Sequence, residues 1–84
     1  MKVLYFAWLR ERIGRGEEKL APPAEALESA AAFVAWLRTL EARYELAFAD
    51  LSALRVAADQ EMVAWDAPLT DVRELAFFPP MTGG

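Results

Sequence analysis

Hydrophobic residues alternate between two faces at the start of the chain. In KVLYFA, residues 2–7, Val3 and Tyr5 fall on one face of a strand, and Leu4 and Phe6 fall on the other. Such a compact apolar and aromatic run predicts a strand that is buried on both faces or nearly so. A strand of this kind suits the interior of a sheet, where both of its edges are paired.

A short helix and a weak strand are predicted next. In WLRERIG, Leu9 and Ile13 stand four residues apart on one helical face, and Gly14 is placed to end the turn. The segment EEKLA, residues 17–21, predicts a second strand, which two prolines close.

The clearest helical pattern begins near Ser29, whose hydroxyl can cap a helix N-terminus. It carries an apolar stripe with helical spacing, formed by Phe33, Leu37, Leu40 and Tyr44. The stripe predicts one helix that runs from about Ser29 through Tyr44 and packs on the core.

Three further strands complete the pattern. LRVAADQEMVAWD predicts two short strands joined at Asp59 and Gln60, DAPLTDV predicts a loop, and residues 74–78 predict a last apolar strand. This element order predicts an α+β fold, a mixed sheet of four to five strands with one main helix on one face and a short helix after strand 1. The first and last strands are expected at the centre of the sheet.

The last six residues, PPMTGG, cannot continue the last strand. Pro79 and Pro80 lack the N–H that strand pairing needs, so they predict a semi-rigid exit from a domain of residues 1–78. Residues 79–84 are expected to form an extended, flexible tail that reaches about 20 Å. Gly83 and Gly84 have no Cβ atom, so a narrow pocket can close around them and leave the terminal carbonyl unhindered.

Composition excludes most chemistry elsewhere in the 84-residue chain. It has no cysteine and no histidine, and therefore lacks the commonest general base, a thiol nucleophile and the commonest zinc ligands. We expect no bound metal, no bound cofactor and no catalytic site of its own. The carboxyl group of Gly84 is then the obvious place for covalent transfer, once it is activated, for instance as an acyl-adenylate.

Charge argues against a nucleic-acid partner, because 9 basic and 13 acidic residues leave a net charge of −4. Arg10, Arg12 and Arg15 form a small basic cluster that could touch an acidic partner, although scattered surface charge is the simpler interpretation. Glu17 and Glu18 predict a solvated acidic face. No signal peptide and no membrane-spanning stretch is recognisable, so we expect a cytoplasmic protein without a membrane partner.

From end to end, the sequence resembles the small subunits of molybdopterin synthase, a family of sulfur carriers with the ubiquitin-like β-grasp fold. KVLYFAWLRERIG and PLTDVRELAFFPPMTGG carry the resemblance, and the Phe-Phe-Pro-Pro before Gly-Gly is its most specific part. It implies that an ATP-using adenylating enzyme, similar to ubiquitin-activating enzymes, activates the carboxylate of Gly84. A sulfur donor protein then converts this group to a thiocarboxylate.

The same resemblance implies that the tail enters the large synthase subunit and delivers sulfur to a pyranopterin precursor of the molybdenum cofactor. The tail residues that would enter are Pro79, Pro80, Met81, Thr82 and Gly83. The chain would not be an enzyme on its own but the sulfur-donating subunit of a sulfurtransferase complex, a heterotetramer with two small subunits on a large-subunit dimer.

Two other interpretations share the fold and the Gly-Gly ending. One is a ubiquitin-like modifier, or a sulfur carrier for another pathway such as thiazole synthesis or tRNA thiolation. The other is a plain β-grasp interaction module whose tail has no function.

Strand alternation also predicts a docking surface. If Leu75 and Phe77 face the helix, then Phe78 and Phe6 point to the opposite face, with Met62 as a neighbour. An exposed apolar patch beside the start of the tail would dock both the large subunit and the adenylating enzyme. We expect Phe78 to be its anchor.

Overall fold

Five strands form one mixed sheet in a computed structural model, which describes residues 1–80. They are β1 (Lys2–Tyr5), β2 (Glu17–Lys19), β3 (Arg55–Ala58), β4 (Glu61–Val63) and β5 (Glu74–Phe78). Their order across the sheet is β2-β1-β5-β3-β4. β1 and β5 are parallel, and the other neighbouring pairs are antiparallel. The predicted interior positions of the first and last strands are confirmed.

Three short α-helices lie on one side of this sheet. They are α1 (Trp8–Ile13), α2 (Ala30–Leu37) and α3 (Ala42–Ala47), and two 3-10 turns span Ala24–Leu27 and Leu51–Ala53. Gly14 ends α1 as predicted: its φ of 90° lies in the left-handed region, and its N–H donates to the Arg10 carbonyl at 2.9 Å.

The prediction of one helix through Tyr44 is wrong. Ser29 caps α2 as expected, but α2 ends at Leu37, and Glu41 is extended before α3 begins. Leu40 therefore leaves the stripe and is 41% exposed, whereas Leu37 and Tyr44 stay buried.

The position of α3 is set by contacts with residues that are distant in the sequence. It packs on α1, and the guanidinium of Arg43 donates to the carbonyl of Ile13 at 2.8 Å, which satisfies a carbonyl at the end of that helix. The break before α3 thus lets this segment change direction and pack along α1.

Phe77 lies at the centre of the core and fixes the orientation of β5. Its ring packs against those of Tyr5, Phe33, Phe48 and Trp65, at centroid distances of 6.3, 6.2, 5.0 and 6.2 Å. Burying a large apolar side chain contributes about 1.5–3 kcal/mol. Turning β5 over would expose this ring, so the residues on either side of it must face away from the helices.

β1 is buried on one face only, so the prediction of burial on both faces is wrong. Val3 and Tyr5 are 0% and 1% exposed, whereas Leu4 is half-buried and Phe6 is 48% exposed. Because the helices pack on a single side, the other side of the sheet stays open.

The β3–β4 hairpin turns at the predicted residues. Asp59 and Gln60 have φ values of 49° and 70°, the left-handed pair of a type I′ turn. The carboxylate of Asp59 also accepts the N–H groups of Arg73 and Glu74, each at 3.0 Å. The Asp59 side chain therefore connects the hairpin to the start of β5. The sequence predicted Asp59 only as a turn residue.

The predicted boundary between a domain of residues 1–78 and a tail stays a prediction. β5 ends at Phe78, but Met81, Thr82, Gly83 and Gly84 lie outside the described residues. None of the helices in the described part of the chain has the length and apolar character needed to cross a bilayer.

Candidate functional site

The start of the predicted tail leaves the sheet from its interior. β5 pairs with β1 on one side and with β3 on the other, where Phe78 lies opposite Arg55. The N–H of Phe6 adds a hydrogen bond to the carbonyl of Phe77 at 3.2 Å. Pro79 follows half-buried and Pro80 is exposed. The direction in which the chain leaves the sheet is thus set by hydrogen bonds on both sides.

An apolar surface lies on the side of the sheet that the helices leave uncovered. Strand register places Leu4, Ala76, Ala57 and Met62 in one row across four strands. Phe78 belongs to the next row along β5. Together with the residue that follows β1, these side chains form what we call the open face: Leu4, Phe6, Ala57, Met62, Ala76 and Phe78.

The structure places all three predicted interface residues on the open face. Phe6 and Met62 are 48% and 62% exposed, and Phe78 is half-buried. Sequence reasoning did not include Ala57 and Ala76, although strict alternation in RVAAD and ELAFF could have found them. A role for these residues in binding stays a prediction.

Charged side chains lie at two ends of the open face. Lys2 lies 3.8 Å from the carboxylate of Glu17 and 4.0 Å from that of Glu74, at the end where β1 begins. Arg55 stands beside Phe78 at the other end. Such exposed ion pairs stabilise the fold little. An apolar centre with a charged rim is the usual composition of a protein interface.

Glu18 contradicts the prediction of a solvated acidic face. Its side chain is only 9% exposed, and one oxygen, Oε2, accepts the hydroxyls of Tyr5 at 2.6 Å and Tyr44 at 2.7 Å. Its other oxygen, Oε1, accepts from Arg15 at 3.2 Å. No local pattern in the sequence predicts this cluster, since Tyr5 and Tyr44 lie 13 and 26 residues from Glu18.

The cluster keeps both tyrosines protonated. Burial, followed by the hydrogen bond to Glu18, raises the pKa of Tyr44 to about 12 and that of Tyr5 still further above its ordinary value. The two hydroxyls therefore act as donors at neutral pH and not as nucleophiles. They join β1, β2 and α3 through a single carboxylate.

Within residues 1–80, no group of three or more His, Cys, Asp or Glu side chains could hold a metal ion. Buried polar side chains of this region have hydrogen-bond partners. The candidate site in the described part of the chain is thus the open face beside the end of β5.

The sequence and the fold both match those of known proteins. A model of the ThiS family matches residues 3–84. The molybdopterin synthase sulfur carrier subunit of Escherichia coli (strain K12) is 40% identical over 87 residues, which cover 100% of this chain and 99% of the relative.

Two solved structures share the fold. A protein assigned as molybdopterin converting factor, subunit 1, from Pyrococcus furiosus has a TM-score of 0.72 at 27% identity and covers 95% of each chain. SAMP1 from Haloferax volcanii has a TM-score of 0.74 at 24% identity, covering 100% of this chain and 98% of that one. These neighbours confirm the predicted α+β, ubiquitin-like β-grasp fold. With its sequence matched over nearly its whole length, the chain belongs to the ThiS family.

Proposed function

We propose that the chain is the sulfur carrier subunit of molybdopterin synthase. The observation that carries this proposal is the 40% identity, over the whole chain, to the E. coli subunit of that name. The open face beside the last strand supports it, because a carrier must be recognised by its partners before its tail can enter them.

The chemistry takes place at the carboxylate of Gly84. Its oxygen attacks the α-phosphorus of ATP in the adenylating enzyme, which forms an acyl-adenylate and releases pyrophosphate. A sulfide equivalent from the sulfur donor protein then attacks the acyl carbon and displaces AMP, leaving a thiocarboxylate. In the large subunit, the thiocarboxylate sulfur attacks a carbon of the pyranopterin precursor and displaces an oxygen substituent from it, which forms a thioester between the two molecules. Water then cleaves the acyl C–S bond, which leaves the sulfur on the pterin and restores the carboxylate of Gly84.

The partners supply the catalytic groups in this scheme. The chain has no histidine or cysteine, and its tyrosines are held protonated, so it presents the sulfur without acting as an enzyme on its own. The tail residues 79–83 provide reach and fit, and the open face docks on the large subunit and on the adenylating enzyme. A cysteine-free sequence also fits a reducing cytoplasm.

Intact mass spectrometry tests this proposal. The chain is incubated with ATP, a sulfur source and the adenylating enzyme of the same organism. We expect a mass increase equal to the replacement of one oxygen by sulfur, and molybdopterin formation once the large subunit and the precursor are added. Deletion of Gly84 should abolish both results, whereas Leu46→Ala, on the helix side of the fold, should preserve them.

The alternatives give different products in the same experiment. A ubiquitin-like modifier would form isopeptide conjugates with lysines of other proteins and gain no sulfur. A carrier for thiazole or tRNA synthesis would gain sulfur without supporting molybdopterin formation by the large subunit. Either result would contradict the proposed function.

A further inference from the structure

Two concave surfaces meet at Arg10, on the exposed side of α1. The first, of about 770 Å³, lies between α1 and the loop that follows it and includes Trp8, Arg10 and Gly16. The second, of about 560 Å³, shares Arg10 and Gly16 and continues onto the open face at Leu4 and Phe6. Arg10 therefore lies at the border between the apolar open face and the polar surface of α1.

Gly16 provides the space in which the Arg10 side chain lies. A Cβ atom at residue 16 would lie 3.2 Å from Nε and 3.3 Å from Cζ of Arg10, closer than ordinary van der Waals contact. The backbone of Gly16 is fixed, since its carbonyl accepts the N–H of Tyr5 at 2.9 Å. Unlike Gly14, Gly16 has no positive φ, so an alanine here is compatible with the backbone and acts mainly on Arg10.

The guanidinium of Arg10 is left available for a partner. In residues 1–80, the ion pairs involve Lys2, Arg15 and Arg43, and none includes Arg10. Arg12 is engaged differently, because its guanidinium lies 4.6 Å from the centre of the Trp8 ring.

Two carboxylates line the same surfaces. Glu11 borders the first concavity, and Glu17 borders the second, where Lys2 lies 3.8 Å from it. Arg15, in the first concavity, is bound to Glu18. Arg10 is thus the cation at this border that no carboxylate of the described chain neutralises.

We propose that Arg10, held over Gly16, receives a carboxylate from an acidic segment of the large subunit and extends the docking surface beyond the open face. This inference rests on the proposed function. An arginine beside an apolar patch offers a planar, fully charged donor group that matches a carboxylate. Gly16 acts as a positioning residue, since its missing side chain leaves the space in which the Arg10 side chain lies.

Binding measurements with the large subunit of the same organism test this assignment. Titration calorimetry should give a Kd about tenfold higher for Arg10→Ala, and a smaller increase for Arg10→Lys. Arg38→Ala is the matched control, because it removes the same charge from an exposed arginine at the end of α2, on the helix side of the fold. The difference between Arg10→Ala and Arg38→Ala should shrink at high ionic strength.

Gly16→Ala tests the positioning role. We expect its Kd to rise about threefold, with a circular dichroism spectrum and thermal midpoint close to those of the wild type. In an Arg10→Ala background, Gly16→Ala should have no further effect, since the group that it displaces is already absent.

Three results would overturn the inference. If the wild type binds but Arg10→Ala behaves like Arg38→Ala, no carboxylate is received at Arg10, and the proposed function is unaffected. If Gly16→Ala weakens binding equally in both backgrounds, it does not act through Arg10. If the wild-type chain does not bind the large subunit at all, the proposed function fails together with this inference.

Discussion

At the scale of single residues, Ala7 has a backbone conformation that its own side chain disfavours. Its φ of 56° and ψ of −134° lie in a region that residues with a Cβ atom rarely adopt. Ala7 joins the outward-facing Phe6 to α1, whose Leu9 is fully buried. Strain of this kind costs about 1–3 kcal/mol and persists only where the surrounding structure enforces it.

Replacing Ala7 by glycine should therefore stabilise the protein. We expect Ala7→Gly to raise the free energy of unfolding by about 1 kcal/mol, since relief of strain exceeds the added entropy of the unfolded chain. Urea unfolding followed by tryptophan fluorescence measures the change. Ala35→Gly, at an exposed position within α2, is the control and should lower the same free energy by about 1 kcal/mol. Equal losses in both variants would show that Ala7 is not strained.

The shared carboxylate of Glu18 predicts a loss of stability at alkaline pH. Burial and the hydrogen bond to Glu18 raise the pKa of Tyr44 to about 12, so its contribution is complete below the unfolded value near 10 and is lost as pH rises through 12. Tyr44→Phe should cost about 1–2 kcal/mol at pH 8. Its urea midpoint should then fall less steeply than that of the wild type between pH 10 and pH 12.

Phenolate absorbance gives an independent check. The chain has only two tyrosines, and both donate their hydroxyl hydrogen to the carboxylate of Glu18. Alkaline titration of the folded protein should therefore show no tyrosine ionising at its ordinary pKa near 10. A tyrosine that titrates there would contradict the buried cluster.

At the scale of elements, the division between α2 and α3 changes which side chains support the core. The hydroxyl of Thr39 donates to the carbonyl of Trp36 at 2.6 Å, which satisfies a carbonyl group at the end of α2. No glycine or proline lies between Leu37 and Ala42. The apolar spacing therefore predicted a helix that continues past the actual end of α2.

Leu37 and Leu40 should consequently differ in their effect on stability, although both belong to the predicted stripe. Leu37 is 0% exposed and Leu40 is 41% exposed. Leu37→Ala should lower the free energy of unfolding by about 3 kcal/mol, through lost burial and a residual cavity. Leu40→Ala should change it by about 0.5 kcal/mol or less. Similar losses in urea unfolding would favour one continuous helix.

At the scale of the whole molecule, the two faces of the sheet differ in what covers them. The helices cover one face, whose large side chains form the core, and leave the open face uncovered. β5 contributes to both, because Phe77 points into the core and Phe78 points away from it. The end of β5, from which the predicted tail starts, is thus attached to the core and adjacent to the proposed docking surface.

Phe78→Ala should therefore impair binding more than folding. We expect the Kd for the large subunit to rise at least about tenfold, as for an aromatic anchor at an interface, with a much smaller loss of stability than truncation of Phe77 would produce. Leu46→Ala is the control, since it removes a 71% exposed apolar side chain from the helix side. Unchanged binding by Phe78→Ala would show that the open face is not the docking surface.

Local patterns in the sequence determined the strands, the turn at Asp59 and Gln60, the caps at Ser29 and Gly14, and the α+β class. These features depend on nearest neighbours: alternation along a strand, or a residue type that suits one backbone conformation. Family resemblance added the β-grasp fold and the expected chemistry at Gly84.

Only the tertiary structure decided which long-range contacts form. It placed the helices on a single side and so left Leu4 half-buried and Phe6 exposed, ended α2 before Leu40, and buried Glu18 between two tyrosines. Each of these outcomes depends on groups brought together by strand order and packing, far apart along the chain. Sequence periodicity reports which residues share a face of one element, but the neighbour that covers that face belongs to the assembled fold.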